Sequence, residues 1–370
     1  MRSRFQRVTV PASWDHWKAY LAFQALGPEA KSAIPDLIKL ANDPSDPNSP
    51  SYPSSIGIKL DEASVGLWKN KNEVAMFVAQ SPTYQVQGKP VIPVSSTLFW
   101  GGGGAIPPTF LSDGEIAAWS LAAIGAESVP PLMEMLTNSN PQIRYRAAVA
   151  LGLMGKAAEP AVPAIVSLLH DPDRNTRREA ADALGWIGQQ TDLAIPALIK
   201  VSFDDKDVES AAIDSLGAFG ERATNAIPAL LALFSAEYNS LDQTRGQYRI
   251  GNIALALNKI SPEVTRKEVI PLLIYRIQSP KSPWNQSMTL NILGQMTNQS
   301  NLVIPTLLNT LDSTDNPTRS YTIYQLGGFG PAATSAIPKL ISFATSQDTN
   351  LCRLATNALD KIEPGWRTGR

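Results

Sequence analysis

A chain of 370 residues has room for two or three globular domains or for one elongated array. It carries 32 Lys+Arg against 33 Asp+Glu, a net charge of -1, which speaks against the dense cationic footprint of a nucleic-acid binder. One Cys (Cys352) and two His (His16, His170) exclude an intrachain disulfide framework or Cys/His zinc cluster, and no apolar run is long enough to predict a membrane-spanning helix.

The N-terminus, Met1-Arg-Ser-Arg-Phe-Gln-Arg, is basic but lacks the apolar stretch of a signal peptide. That pattern predicts a cytoplasmic protein, or an extracytoplasmic one if an export segment has been trimmed away. Residues 1–42 read as an N-terminal arm and a first helical repeat containing Ile34-Pro35. Residues 43–112 hold nine prolines and seven glycines, including Gly101 to Gly104, which is not helical composition. Within this insertion 73–79 and 84–87 read as short strands joined by Ser81-Pro82, with further extended segments at 89–94 and 96–100. The insertion is either a surface excursion packed on the first repeats or a partner-binding element projecting from one edge.

From residue 113 onward an apolar-Pro pair recurs: Val129-Pro130, Val162-Pro163, Ile195-Pro196, Ile227-Pro228, Ile270-Pro271, Ile304-Pro305 and Ile337-Pro338. Successive prolines are separated by 33, 33, 32, 43, 34 and 33 residues. A glycine pair recurs in register upstream: Gly152 and Gly155, Gly185 and Gly188, Gly217 and Gly220, Gly327 and Gly330. Each unit reads as two helices. Pro163 to Leu169 is one, since proline fits the first helical turn. Asp171 to Asn175 is a turn. Thr176 to Ile187 is the second helix, with Ala180, Ala181, Ala183, Leu184 and Ile187 on one face. The glycine pair is expected to end it. One helix pair cannot cover its own apolar face, so neighbours stack. The 43-residue step leaves room for about ten extra residues around 238–246 and 261–267. Residues 113–370 thus hold about seven helix pairs, closed by a capping helix near 351–362.

The stretch Ile143-Arg-Tyr-Arg-Ala-Ala-Val-Ala-Leu-Gly-Leu-Met-Gly and the two units after it resemble HEAT repeats, in particular the bacterial phycobilisome-lyase HEAT-like subtype. The resemblance covers 113–370 and, more loosely, 14–42. It implies an all-α fold, a right-handed α-α superhelix or HEAT-repeat solenoid, interrupted here by a partly β or irregular insertion. It also implies that second helices line the concave face, and that Arg144 and Arg177 bond to neighbouring turn aspartates. The family includes scaffolds, adaptors and a few enzymes, so it speaks to fold more than to function.

Chemical motifs do not assemble. Gly101 to Gly104 lead into Ala-Ile-Pro-Pro, without the Lys and Ser/Thr of a phosphate loop. Asp171, Asp173, Asn175 and Asp182 mimic a calcium loop, yet Thr176 stands where glycine is required, and Asp173 suits a helix cap. His16 and His170 are far apart in any solenoid, and Cys352 has no base beside it in sequence. No catalytic residue, cofactor or metal is therefore assigned, and the chain is not expected to be an enzyme. Aligning units by Leu151, Leu184 and Leu216 places Tyr145, Val149 and Leu153 outward in one unit. Arg178, Asp182 and Trp186 follow in the next, and Ser210, Asp214 and Ala218 in the third. Tyr145, Val149, Leu153, Arg178 and Trp186 form the candidate protein-binding surface, with the composition of an interface hot spot. The alternative is that Trp186 and Leu153 pack between units. The expected partner is a protein or peptide, with no nucleic acid and no direct membrane insertion. A bilin lyase-type or glycosylase-type enzyme using the same groove, with Trp119, Tyr145 and Trp186 as lining, and a head-to-tail self-assembling protein stand as rivals.

Overall fold

The computed structural model describes residues 6–9, 27–43, 57–60, 85–86, 89–90, 113–238, 246–278, 283–313 and 315–367. The chain is an all-α HEAT-like repeat solenoid whose helices group into two compact units, Met1–Ala197 and Leu198–Arg370. The first unit holds α1 (Ile34–Ala41), α2 (Asp113–Ile124), α3 (Val129–Met135), α4 (Pro141–Leu153), α5 (Val162–Leu168), α6 (Arg174–Ile187) and the start of α7 (Thr191–Asp204). The second holds α8 (Glu209–Phe219), α9 (Ile227–Tyr238), α10 (Gly246–Ile260), α11 (Pro262–Val264), α12 (Ile270–Gln278) and α13 (Pro283–Gly294). It continues with α14 (Ser300–Thr310), α15 (Asn316–Gly328), α16 (Ile337–Ala344) and α17 (Thr349–Ile362). A π-helical turn, Thr265–Val269, occupies part of the lengthened repeat.

Short strands also occur toward the N-terminus: β1 (Gln6–Thr9), β2 (Gly57–Leu60), β3 (Gln85–Val86) and β4 (Lys89–Pro90). β1 pairs antiparallel with β2, and β3 with β4. The extended segments expected at 73–79 and 96–100 lie outside the described residues, as does the Gly101 to Gly104 run.

In each unit the second helices pack side by side. In the first, α2 lies against α4 and α4 against α6; in the second, α8, α10, α13, α15 and α17 follow one another. First helices such as α3, α5, α9 and α16 pack on their own partners. The first repeat is split. α1, with Pro35 in its first turn, packs against α2, so the insertion 43–112 sits where other repeats have only a short turn.

Two glycine roles replace the single one expected from sequence. The second glycine of each pair is left-handed, with φ of 56° at Gly155, 60° at Gly188, 58° at Gly220 and 55° at Gly330. That conformation strains any residue with a Cβ. The first glycine lies inside the helix and serves close approach. A Cβ on Gly152, Gly217 or Gly327 would stand 3.1, 3.0 or 3.0 Å from the Cα of Ala183, Ala256 or Ala358 on the next second helix.

The left-handed glycine opens a seven-residue segment of 3-10 turns, at Gly155–Ala161, Gly220–Ala226 and Gly330–Ala336, the last two kinked at Ala223 and Ala333, and Gly27–Ala33 repeats it before α1. Three residues per turn stack positions i and i+3 on one face. The alanines there, Ala30 and Ala33, Ala158 and Ala161, Ala223 and Ala226, Ala333 and Ala336, are each 0% exposed.

The turns between first and second helices are fastened by side chains. Asn140, Asp173, Asp315 and Asp348 cap α4, α6, α15 and α17 through backbone N–H groups of the first turn. Two residues earlier, Asn138, Asp171 and Ser313 accept from the cap's own N–H at 2.9, 2.8 and 3.2 Å. The calcium-like spacing at 171–173 is this turn.

Candidate functional site

The left-handed glycines fix the register of the second helices in the first unit. Ten residues before Gly125, Gly155 and Gly188 stand Glu115, Tyr145 and Arg178. Six before stand Trp119, Val149 and Asp182; two before stand Ala123, Leu153 and Trp186. Because α2, α4 and α6 are neighbours, these nine positions form three rows across one helical layer. The structure therefore brings together the five residues singled out from sequence and adds Glu115 and Trp119 to them.

Their exposure differs. Trp186 is 46% exposed and Val149 only 8%, since α4 is flanked on both sides by second helices. Tyr145, Leu153, Arg178, Trp119 and Asp182 are half-buried. Trp186 rests on Gly152: a Cβ there would lie 2.7 Å from Cε3 of the indole. The indole thus packs between repeats on one edge and faces solvent on the other. Ser210, Asp214 and Ala218 of the second unit are exposed.

The electrostatics of this layer are unusual at Glu179. Its residue is 6% exposed, and its Oε1 has no hydrogen-bond partner among the described residues. Burial pushes its carboxyl up to about 8, helped by nearby Asp182 and opposed by Arg178. The Tyr145 hydroxyl is raised as well, first by burial and then by Glu179 and Glu115, against the lowering influence of Arg178. Sequence reading passed over Glu179. The available signal was its position, which falls at Arg146 one repeat earlier and Ala211 one later.

The neighbouring arginines are structural. Arg144 donates from Nε and Nη2 to the two Asp171 oxygens at 2.7 and 2.6 Å, and from Nη1 to the carbonyls of Asn138 and Ser139. Burial alone would raise the Asp171 carboxyl. The Arg144 bonds, the Asp173 N–H and the charge of Arg177 outweigh it and hold the group low. Arg177 donates to the carbonyls of Asp171 and Pro172, as Arg144 does to its own turn. Arg146, 2% exposed, donates from Nη1 to the carbonyls of Ala41 and Asp43 at 3.3 Å and presses on Gly114. It ties the end of α1 to the start of α2, the two stems of the insertion.

Among the described residues no three His, Cys, Asp or Glu side chains are grouped to hold a metal ion, and no helix is long and apolar enough to cross a membrane. Cys352 donates from Sγ to the Ala344 carbonyl at 3.0 Å, and His170 is exposed in a turn. In the second unit α15 presents Tyr321 and Tyr324, 48% and 61% exposed, with the Lys361 ammonium 5.8 Å above the Tyr324 ring. Sequence reading missed both tyrosines, because the glycine pair at 327 and 330 was used for register but its helix was not followed upstream.

Residues 129–207 match the family model of HEAT repeats, and residues 115–138 match the PBS lyase HEAT-like repeat. The matched stretch, 115–207, carries HEAT repeats. The candidate face lies almost wholly within the two matched segments. Among solved structures the chain is similar to the complex of CpcE and CpcF of phycocyanin lyase from a Nostoc species, at 26% identity over 63% of this chain and 94% of that one, with a TM-score of 0.39. It is also similar to importin beta, at 11% identity over 95% of this chain and 48% of that one, TM-score 0.49. Human deoxyhypusine hydroxylase matches at 19% identity over 68% of this chain and 90% of that one, TM-score 0.28. No curated protein matches the sequence.

Proposed function

We propose that this chain is a non-enzymatic scaffold that binds a protein or peptide on the second-helix face of its first unit. In this reading the repeats wind as a right-handed α-α superhelix, and that face is its concave side. The observation that carries the reading is Trp186, 46% exposed in one row with half-buried Leu153, with half-buried Tyr145 about two turns away on α4. An aromatic anchor with aliphatic neighbours and a charged rim is what interface hot spots are made of. Arg178 belongs to that rim, and Val149 forms the floor.

Quantitative mass spectrometry of proteins retained by the immobilised chain tests this. Alanine at Tyr145, Leu153 and Trp186 together is expected to reduce the specific partner at least about tenfold, since each hot-spot truncation costs about 1–2 kcal/mol or more. Unchanged retention places the surface elsewhere.

The PBS lyase HEAT-like match at 115–138 favours a second reading, a bilin lyase-type enzyme working through the same groove with Trp119, Tyr145 and Trp186 against the ligand. A coloured or ultraviolet-absorbing molecule that co-purifies with the chain, and is lost with those side chains, would support it.

A further inference from the structure

Two stretches of the chain superpose in sequence without a gap. Shifted by 175 residues, 140–187 falls on 315–362 with every backbone marker in step. Cap Asn140 falls on cap Asp315, left-handed Gly155 on Gly330, Pro163 on Pro338 and cap Asp173 on cap Asp348. The packing repeats too. A Cβ on Gly152 would meet the Ala183 Cα at 3.1 Å, and one on Gly327 the Ala358 Cα at 3.0 Å. In this register Arg144 falls on Arg319, and its acceptor Asp171 falls on Ser346. The arginine recurs and its carboxylate does not. In the first unit the Arg144 Nε donates to Asp171 at 2.7 Å. In the second the Arg319 Nε is buried with no acceptor among the described residues. Buried polar groups in native proteins nearly always have partners, so this nitrogen calls for a reason. Its guanidinium turns Nη2 to the Asn316 side chain of its own first turn. Asp315 is within electrostatic reach, yet its Oδ2 already accepts the N–H and the hydroxyl of Thr318.

Ser346 stands where the missing acceptor belongs. It is half-buried in the turn between α16 and α17, flanked by exposed Thr345 and Gln347. Its hydroxyl makes one long contact, 3.4 Å to the Asp348 carbonyl, whereas Asp171 holds both Arg144 and the Asp173 N–H. A phosphate on a serine hydroxyl brings close to two negative charges and three strong acceptor oxygens. A guanidinium with an unpaired nitrogen is the group that receives such oxygens best. We propose that Ser346 is a phosphorylation site whose phosphate is received by Arg319, so that modification fastens α17 to α15 as Asp171 fastens α6 to α4. In that step the Ser346 Oγ attacks the terminal phosphorus of a nucleoside triphosphate held by a protein kinase. The bridging P–O bond breaks, the nucleoside diphosphate leaves, and the hydroxyl proton passes to the kinase's base. The device belongs to the last helix pair of the second unit and is independent of what the first unit binds.

The test compares the full chain with and without phosphoserine installed at 346 during translation, each with Arg319 and with Arg319→Gln. The readout is hydrogen exchange of the α17 amides. Phosphoserine is expected to slow that exchange at least about fivefold when Arg319 is present and to leave it unchanged in Arg319→Gln. Ser346→Asp, which copies the pair of the first unit, is expected to slow it in the same Arg319-dependent way. Peptide mass spectrometry of the chain taken from its own cells is expected to find phosphate on Ser346. No slowing by phosphoserine, or equal slowing in Arg319→Gln, would overturn the proposal. So would Ser346 found only unmodified in those cells. Should millimolar inorganic phosphate produce the same Arg319-dependent slowing on the unmodified chain, the occupant is a free ion and the modification falls.

Discussion

Two carboxylates buried to nearly the same degree are treated in opposite ways by the two units. In the second unit Glu209, 4% exposed, accepts from Nε and Nη2 of Arg249, whose Nη1 also reaches Glu237 at 2.6 Å. One guanidinium thereby ties α8, α9 and α10 together. In the first unit Glu179, 6% exposed, has no such partner. Further along the second unit the same habit continues. Gln299 donates to the Asn258 side chain and the Pro262 carbonyl, and Gln325 donates to Asn291. The difference teaches that this fold can satisfy a buried polar seam when the seam is only structural. Open buried polar atoms occur in both units all the same: Ser128 Oγ and Glu179 Oε1 in the first and Arg319 Nε in the second, among the described residues.

Breaking the satisfied seam should cost most. Arg249→Met leaves Glu209 buried and unpaired, so unfolding by denaturant should show a loss of about 3–5 kcal/mol. A loss under about 1 kcal/mol would mean that Glu209 is not held as described. The open seam should respond to pH instead. The Glu179 carboxyl titrates near 8 when folded and near 4.5 when unfolded, so the folded chain holds the extra proton between those values. Stability should be greatest below about pH 4.5 as far as this residue is concerned, fall as pH rises through about 8, and stay flat above. Glu179→Gln should remove that slope and stabilise the chain at pH 8.5 by up to a few kcal/mol, as order of magnitude. A destabilised Glu179→Gln at pH 8.5 would show that the carboxyl is paired after all.

Smaller effects sharpen the comparison of seams. Gly217→Ala pushes a methyl group to 3.0 Å from the Ala256 Cα, so thermal unfolding should show a loss of about 1–3 kcal/mol. Gly328, with open space around it, should tolerate alanine and serves as the control. Asp173→Ala removes the cap on α6 and should cost about 1 kcal/mol, read by denaturant midpoint.

Much of the fold was legible in the apolar-Pro and glycine pairs, because each stands at a backbone position with a narrow requirement. What escaped notice was the Gly-x-x-Ala-x-x-Ala run between them, as at Gly155, Ala158 and Ala161. A spacing of three belongs to the 3-10 helix, and a search for helical or strand periods passes over it. Stepping back 33 residues from Pro163 sets Ile116 and Ser120 beside Val149 and Leu153. The linker after Gly125 is only the three residues Ala126–Ser128, so the true neighbours are Trp119 and Ala123, with Glu115 beside Tyr145. Trp186 and Tyr145 were singled out because aromatic residues stand out among alanines. Glu179 was not, because a charged residue on a helix reads as solvated until the packing around it is known.

The Arg146 staple has a consequence for how such a chain can change. One guanidinium holds the backbone where α1 ends beside the point where α2 begins, so the chain leaves the array and rejoins it at one place. Closing about seventy residues rather than five adds only about 2 kcal/mol of entropy. Exchanging, shortening or enlarging the intervening segment is a change the array can absorb without shifting the register of a single repeat downstream.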